Sequence, residues 1–382
     1  MTETQAVRPV APSERIMALD VLRGFAMAGV LIAYCMWSLG TAPDDQWSPF
    51  NKTSGEIAEF VIDGKFYTIL AFLFGLGFSL QLERASDSAA AVRTYCRRLA
   101  VLAGIGLLHA LLLRNGDILF PYAMTGFLLI PFRRASDRLL VAAALVALLV
   151  PYAAVWLWKA SGVPIPDRPQ LEKAPYLVEN VAWVRYWYET AIFTWPTNLT
   201  LFLFGFLAGR HRLIPTLAGR PKTLLAIVPL GLLASAACYL IIKQLAAAST
   251  LTALERLAGG LAFTFHCWGL SSAYAATLLL ALGTRQGIQA LSPLAAVGRM
   301  ALTDYLMQAG IIVPLCLAFG WFDTFTPTRS LLLAVALFAL QLPFSVWWLR
   351  RYRFGPAEWI WRLLTYGRIP PLSLAAKDYA PL

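Results

Sequence analysis

The sequence is poor in charged residues for its length. Of its 382 residues only 14% are aspartate, glutamate, lysine or arginine, whereas about a quarter is usual in a soluble domain. No long polar block is present from which a separate soluble domain could form. The net charge is +11, but the basic residues stand in short groups between apolar runs. This distribution argues against a nucleic-acid partner.

Residues that bind metals or form disulfides are also scarce. The chain has three histidines and five cysteines, with no CxxC or Cys/His spacing. We therefore expect no disulfide framework, no metal site and no tightly bound cofactor. The cysteines lie in or beside apolar runs, where small hydrophobic residues pack. They are Cys35, Cys96, Cys238, Cys267 and Cys316.

Hydrophobic runs, in contrast, are abundant. Hydrophobic residues make up 59% of the chain, and its mean hydropathy is +0.63. Runs of about 20 apolar residues fit helices that cross a hydrocarbon core about 30 Å thick. We predict an all-α polytopic integral membrane bundle of about ten transmembrane helices. The predicted helices are 16–40, 59–82, 95–113, 117–133, 137–159, 187–209, 223–243, 258–282, 294–318 and 329–350.

The basic residues predict the orientation. If successive loops alternate sides, 20 basic residues fall on one side and nine on the other. Basic loops stay in the cytoplasm, so both termini are predicted to be cytoplasmic. The predicted parts are a tail at 1–15, a transmembrane domain at 16–350 and an amphipathic tail at 351–382 that lies on the membrane surface.

Ionisable side chains inside membrane spans are costly, so each is a candidate for function. Asp20 and Arg23 are three residues apart in the first helix and can pair on one face. They fit a packing ion pair with Arg23 reaching to the interface, or a charged floor that seats an anionic ligand from the cytoplasm. Asp63 and Lys65 are predicted near the outer end of the second helix.

Two glycines follow in the run Phe72 to Gly77. Because no strand precedes them, Gly75 and Gly77 are predicted to allow close helix contact and not to bind phosphate.

The segment from His109 to Asp117 is the most informative one. Asn115-Gly116 is a strong turn signal, which predicts that helices three and four fold back on each other near the outer surface. A histidine beside a carboxylate can act as a general base. Alternatively, Asp117 caps helix four and His109 bonds to a neighbouring helix.

Polar residues in the ninth predicted helix form another group. Asp304 and Gln308 share a face, a little beyond Arg299. They could fix the bundle by interhelical hydrogen bonds or contact a substrate.

Two histidines are interpreted without a catalytic role: His266 as a packing residue and His211 as a solvated residue. The outer segment 160–186 leads into an aromatic run, which suits either an interfacial belt or a lid over an outward-facing site. The run comprises Trp183, Tyr186, Trp187 and Tyr188.

Five segments together resemble the YeiB family of bacterial inner-membrane proteins. They are LDVLRG at 19–24, GKFYTILAFLFG at 64–75, GLLHALL with GDIL within 106–119, GRMALTDYLMQ at 298–308 and RFGPAEWIWRLLTYGR at 353–368. Their order and number carry the resemblance over nearly the whole chain. The chain departs at Asp304, where the family more often has asparagine.

The N-terminal half is also similar to a superfamily of transmembrane acyltransferases. That group includes heparan-alpha-glucosaminide N-acetyltransferase and enzymes that O-acylate bacterial surface glycans. The resemblance implies a multi-pass protein of the inner membrane, surrounded by lipid, that takes an acyl group from cytoplasmic acyl-CoA as co-substrate. The acceptor would be a hydroxyl or amine of an extracytoplasmic glycan or small molecule. Tyr34 stands where the glycan-acylating branch has a histidine.

Roles follow from this resemblance as expectations. His109 would remove the acceptor proton, oriented by Asp117, and Lys65 would stabilise the oxyanion. The donor and substrate contacts would come from Asp20, Arg23, Asp63, Arg299, Asp304 and Gln308.

Two other functions fit the same residues. A transporter or flippase of a small or lipid-linked solute would use Asp20, His109 and Asp304 to carry protons. A non-catalytic scaffold or sensor would need the buried charges only for stability.

Overall fold

The computed structural model describes residues 17–38, 47–84, 89–113, 116–163, 175–248, 250–322 and 324–367, with a few isolated positions besides. The predicted tail at 1–15, the end of the tail at 374–382, and Arg114 and Asn115 of the predicted turn lie outside the described residues. The regular elements within these ranges are helices. They are α1 (Met17–Ser38), α2 (Pro49–Val61), α3 (Lys65–Arg84), α4 (Ala89–Leu112), α5 (Leu119–Leu129), α6 (Asp137–Ala160), α7 (Tyr176–Glu189), α8 (Trp195–Arg210), α9 (Leu213–Ala218), α10 (Pro221–Ala246), α11 (Ala253–Leu282), α12 (Arg285–Arg299), α13 (Ala301–Phe319), α14 (Pro327–Leu349) and α15 (Pro356–Tyr366).

The predicted membrane fold is confirmed. Eight helical segments of the described chain are long and apolar enough to cross a membrane. They are Met17–Trp37, Pro49–Glu83, Ala89–Leu112, Asp137–Ala160, Pro221–Ala246, Ala253–Leu282, Ala301–Phe319 and Pro327–Leu349. The predicted helices 117–133 and 187–209 correspond to the shorter α5 and α8. The number ten and the cytoplasmic termini therefore stay predictions.

Three predicted helices are interrupted in the structure. The helix predicted at 59–82 breaks between α2 and α3, where Gly64 has a φ of 76°, a conformation that glycine adopts at little cost. The helix predicted at 187–209 breaks into α7, a 3₁₀ turn and α8, which begins with Trp195-Pro196. The helix predicted at 294–318 ends as α12 and restarts as α13 after Met300.

The helices form two compact units. Unit 1 comprises residues 71–213 and 359–370, with the undescribed 1–16, and unit 2 comprises residues 17–70, 214–358 and 371–382. The boundary falls inside α3, α9 and α15, so each of these helices contributes residues to both units.

Backbone contact between α3 and α8 organises unit 1. A Cβ atom on Gly75 would lie 2.0 Å from the Phe202 carbonyl oxygen, and one on Gly205 would lie 2.0 Å from that of Phe72. Side chains as large as alanine would therefore separate the two helices. The close approach predicted for Gly75 is present, and it lets Phe74 stack on Phe202 with ring centroids 4.8 Å apart.

In unit 2, glycines allow the same close backbone contact at two helix–helix crossings. A Cβ atom on Gly24 of α1 would lie 1.9 Å from the Leu294 carbonyl oxygen, and one on Gly298 of α12 would lie 1.8 Å from that of Asp20. The LDVLRG and GRMALTD segments thus meet backbone to backbone. Gly231 of α10 and Gly269 of α11 approach each other in the same way.

Candidate active site

His109 and Asp117 lie together in unit 1. His109 is in the last turn of α4, and Asp117 comes just before α5. His109 Nδ1 and Asp117 Oδ1 are 3.1 Å apart, and both side chains are almost wholly buried. The atoms are within ion-pair distance although the geometry is not that of an aligned hydrogen bond. Such pairs often tighten only when a substrate is bound.

Asp117 also holds the start of α5. Its Oδ2 accepts a hydrogen bond from the Phe120 backbone N–H at 2.7 Å, a bond that the side chain of the capping residue Ile118 cannot make. One carboxylate oxygen therefore caps α5 while the other faces His109. The capping interpretation and the catalytic interpretation are both compatible with this geometry.

The small residues of α4 and α5 bring the pair together. Gly106 lies against Leu119, Phe120 and Asp117, while Gly126 near the other end of α5 packs on Leu99. The two helices are therefore antiparallel, as the sequence predicted. A Cβ atom on Gly106 would lie only 2.7 Å from Asp117 Oδ2.

Helix α7 docks on the end of α4 that carries His109. The Tyr176 hydroxyl donates to the Leu113 carbonyl, and Asn180 Nδ2 donates to the Leu111 carbonyl at 3.2 Å. Carbonyls in the last turn of a helix lack partners within that helix, so α7 supplies them. Sequence reasoning missed both residues. The signal that could have indicated this contact is Asn180, a single asparagine in a helix rich in aromatic residues.

Aromatic side chains extend the contact that α7 makes with α4 to the start of α5. The ring of Tyr188 packs on Phe120, with centroids 5.0 Å apart, and on Trp195 at 6.1 Å. Burial raises the pKa of Tyr188 to about 12, and the nearby charge of Asp117 adds to the effect. Tyr188 belongs to the aromatic run that was interpreted as a belt or a lid. Its contact with Phe120 places Tyr188 at the start of α5, which Asp117 caps.

The remaining candidates lie in unit 2. The predicted pair in α1 is present, because Arg23 Nη1 donates to Asp20 Oδ1 at 3.2 Å. Arg23 keeps about a third of its side chain exposed, at 35%, while Asp20 is nearly covered, at 12%. The Arg23 side chain is therefore partly accessible to solvent or to a ligand.

Lys65 is a wholly buried lysine, with none of its surface exposed. Its ammonium donates to the Glu59 carbonyl at 2.8 Å, and its own carbonyl accepts from the Ser271 hydroxyl. Asp63 stands beside it in the turn, where its carbonyl accepts from the Cys267 thiol. These bonds tie the turn between α2 and α3 to α11. The oxyanion role of Lys65 stays a prediction.

The polar face of α13 makes interhelical hydrogen bonds with α14. Gln308 Nε2 donates to Gln341 Oε1 at 3.0 Å, and Gln341 Nε2 donates to the Asp304 carbonyl at 3.1 Å. The Ser345 hydroxyl lies 3.1 and 3.3 Å from the two carboxylate oxygens of Asp304. Arg299 is the last residue of α12, immediately before the break.

Two further polar contacts were missed from the sequence. His266 of α11 is buried, and its Nδ1 lies 2.7 Å from the Ser235 hydroxyl of α10. Glu358 of α15 accepts hydrogen bonds from the backbone N–H groups of Leu302 and Thr303 and from the Thr303 hydroxyl. It thereby caps α13, whose own capping residue, Met300, makes no side-chain bond. Burial raises the pKa of this carboxyl.

Two known families match the chain. Residues 15–160 match the catalytic part of heparan-alpha-glucosaminide N-acetyltransferase, and residues 208–368 match a family described as protein of unknown function, DUF418. In the described residues, no group of three or more histidine, cysteine, aspartate or glutamate side chains could hold a metal ion. The chain is a multi-pass membrane protein with an acyltransferase-like N-terminal part.

Whole-length relatives give the family. The chain is 30% identical over 379 residues to an uncharacterized 39.9 kDa protein in the amylase 3′ region of Bacillus acidopullulyticus, covering 96% of this chain and 98% of the relative. It is 29% identical to YxaH of Bacillus subtilis (strain 168), covering 97% and 99%, and 27% identical to YeiB of Escherichia coli (strain K12), covering 92% and 96%. The chain belongs to the YeiB family. No solved structure matches it.

Proposed function

We propose that the protein transfers an acyl group from acyl-CoA to a hydroxyl or amine of an extracytoplasmic acceptor, such as a glycan, at the bacterial inner membrane. The observation that carries the proposal is the buried 3.1 Å contact between His109 and Asp117. Both residues fall in the part of the chain that matches the acetyltransferase catalytic family. The name of that relative describes acyl transfer to a sugar amine, which is the same class of reaction.

The chemistry assigns a separate task to each ring nitrogen of His109. Nδ1 faces Asp117, so a proton on Nδ1 is held there and the tautomer is fixed. Nε2 then accepts the proton of the acceptor O–H or N–H group as the acceptor atom attacks the thioester carbonyl carbon. The carbon–sulfur bond breaks, the new ester or amide keeps the acyl group, and the CoA thiolate leaves and takes up a proton.

Access to His109 requires movement, since the pair is almost wholly buried. Helix α7 is attached to the end of α4 by the Tyr176 and Asn180 hydrogen bonds. We assign α7 the role of the acceptor platform, which opens to admit the acceptor and then excludes water from the thioester. Water exclusion favours transfer to the acceptor over hydrolysis.

The test measures CoA release by purified protein in detergent, with acetyl-CoA as donor and a glucosamine-terminated oligosaccharide as acceptor. Mass spectrometry of the oligosaccharide identifies transfer. We expect acylated product from the wild type, and its loss in His109→Ala. His211→Ala is a matched control, because His211 Nε2 also contacts a carboxylate, Asp137 Oδ2 at 2.7 Å, but on the exposed surface.

The outcomes are distinct. Product formation by the wild type and by His211→Ala, but not by His109→Ala, supports the proposal. Equal activity in all three proteins contradicts the role of His109. If folded wild-type protein neither hydrolyses nor transfers any acyl group across a panel of acyl-CoA donors and hydroxyl or amine acceptors, the protein is not this enzyme and a transporter becomes the better interpretation.

A further inference from the structure

Asp304 is a carboxyl group buried in the middle of unit 2. It lies in α13, one of the segments apolar enough to cross a membrane, and none of its surface is exposed. The structure holds it between α13 and α14, with the Ser345 hydroxyl against its two oxygens. The proton transfer proposed for His109 and Asp117 does not use this carboxyl, and this inference does not rest on that proposal.

No cation neutralises this carboxyl within the described residues. Among the charged residues of the elements around α13, neither Asp20 nor Arg23 of α1 nor Arg299 of α12 makes an ion pair with it. Glu358 of α15, which bonds to the neighbouring Thr303, is acidic as well and offers no compensating positive charge. A bare carboxylate in an apolar interior is so costly that the group takes up a proton instead.

The hydroxyl next to the Asp304 carboxyl can form a hydrogen bond with it in either protonation state. A serine hydroxyl can donate to a carboxylate or accept from a carboxylic acid, so Ser345 can stay in place when the proton binds or leaves. The neighbouring amides are fixed by bonds to each other and to the backbone, with Gln308 donating to Gln341 and Gln341 to the Asp304 carbonyl.

The other acidic side chain at the start of α13 is Glu358. Glu358 belongs to α15, outside the membrane-spanning segments, and is only partly buried. Its Oε2 accepts from the Thr303 hydroxyl at 2.5 Å, and Thr303 adjoins Asp304 in the chain. Glu358 thus caps the first turn of α13 and, as a second acidic side chain there, supplies a control variant, Glu358→Gln, for Asp304.

We propose that Asp304 is a proton-binding site within the membrane-spanning helices of unit 2. In the resting protein the carboxyl carries the proton at neutral pH. The proton comes from water, and its release leaves the carboxylate hydrogen-bonded to Ser345. This site gives unit 2 a means of responding to pH or to a proton gradient.

The test is infrared spectroscopy of the purified protein in lipid nanodiscs at neutral pH, in H₂O and D₂O. A protonated carboxylic acid gives a C=O band that shifts in D₂O and is absent from carboxylates and amides. We expect this band in the wild type, its loss in Asp304→Asn, and its persistence in Glu358→Gln. Asparagine keeps an oxygen that can accept from Ser345, so the variant preserves the local hydrogen bonds.

Other results would overturn the proposal. A wild-type spectrum without the band, or a band that survives in Asp304→Asn, shows that Asp304 is not the protonated group. Loss of the band on adding sodium chloride identifies a cation site instead. If Asp304→Asn does not fold, Ser345→Ala replaces it: the band should remain and change frequency, and an unchanged frequency contradicts the assignment.

Discussion

Two buried histidines, one in each unit, meet different partners. In unit 1, Nδ1 of His109 faces the carboxylate of Asp117. In unit 2, Nδ1 of His266 faces the hydroxyl and the backbone carbonyl of Ser235, and the rings of Phe60 and Tyr239 pack against the imidazole. A carboxylate can stabilise an imidazolium, whereas a hydroxyl and a carbonyl mainly fix its position. The partner, and not burial, therefore distinguishes a candidate base from a packing residue.

The largest expected effect tests this comparison directly. His109→Ala should lower acyl-transfer turnover by about a hundredfold, since a general base contributes at least this much. Asp117→Asn should cause a smaller loss and alter the pH profile of turnover. His266→Ala should leave the turnover of folded protein unchanged but destabilise it by roughly 1–3 kcal/mol, because the Ser235 contact is lost.

Steady-state rates and thermal unfolding in detergent separate these effects. If His266→Ala abolished turnover while retaining its unfolding temperature, and His109→Ala remained active, the two histidines would have the opposite roles.

A tenfold effect is expected at Arg23 in unit 2. Loss of one charge-assisted contact to a phosphate costs on the order of 1.5–3 kcal/mol, so Arg23→Ala should weaken acyl-CoA binding by about tenfold or more. His109→Ala should bind the donor normally. Isothermal titration with a non-hydrolysable acyl-CoA analogue measures both. If Arg23→Ala bound the donor normally but assembled poorly, the Asp20–Arg23 pair would serve helix packing and not donor binding.

Substitution of two glycines of α4 tests whether the spacing around the His109–Asp117 pair matters. Gly106→Ala places a methyl group 2.7 Å from Asp117 Oδ2, so it should cost about 1–3 kcal/mol of stability and reduce turnover as Asp117→Asn does. Gly104 has no neighbouring atom within 4 Å of an added Cβ, so Gly104→Ala should be neutral or slightly stabilising. Equal behaviour of the two variants would show that the spacing around Asp117 does not matter.

Unit 2 should show a pH dependence of its own through Glu358. Burial holds the pKa of this carboxyl above its ordinary value of 4.5, so the folded protein binds the proton more tightly than the unfolded chain. This stabilisation is complete below pH 4.5 and is lost as the pH rises through the raised value. The unfolding temperature should fall over that window in the wild type, and less in Glu358→Gln.

The exposed Glu56 supplies the control for this titration. Glu56→Gln should follow the wild-type curve. Identical curves for all three proteins would show that Glu358 does not contribute.

The smallest effect is a labelling pattern, and it tests the predicted orientation. A membrane-impermeant maleimide applied from outside should modify a cysteine at Ser161 and spare one at Gly219, both of which are exposed positions. The natural cysteines are buried or half-buried, so their background should be low. The reverse pattern would place the α4–α5 turn, and with it His109, on the cytoplasmic side.

Local patterns predicted much of this fold. Long apolar runs indicated the helices, and Gly75 and the histidine and aspartate in 109–117 indicated contacts between helices. Contacts between residues distant in sequence could not be predicted. Glu358 caps α13 from 55 residues away, and His211 pairs with Asp137, 74 residues earlier. Neither leaves a periodic signal, so the break at Met300 and the Asp137 pair emerged only in the structure.

The crossing of Gly24 and Gly298 has a consequence for biosynthesis. Helix α1 is synthesised well before α12, yet the backbone surface against which Gly24 packs is made only when α12 is synthesised. Until then its polar pair, Asp20 and Arg23, has to be sheltered by other helices or by the insertion machinery. Helix α1 thus reaches one of its packing partners only after eleven later helices of the described chain have been started. Chains stalled before α12 should remain bound to the machinery that inserts them.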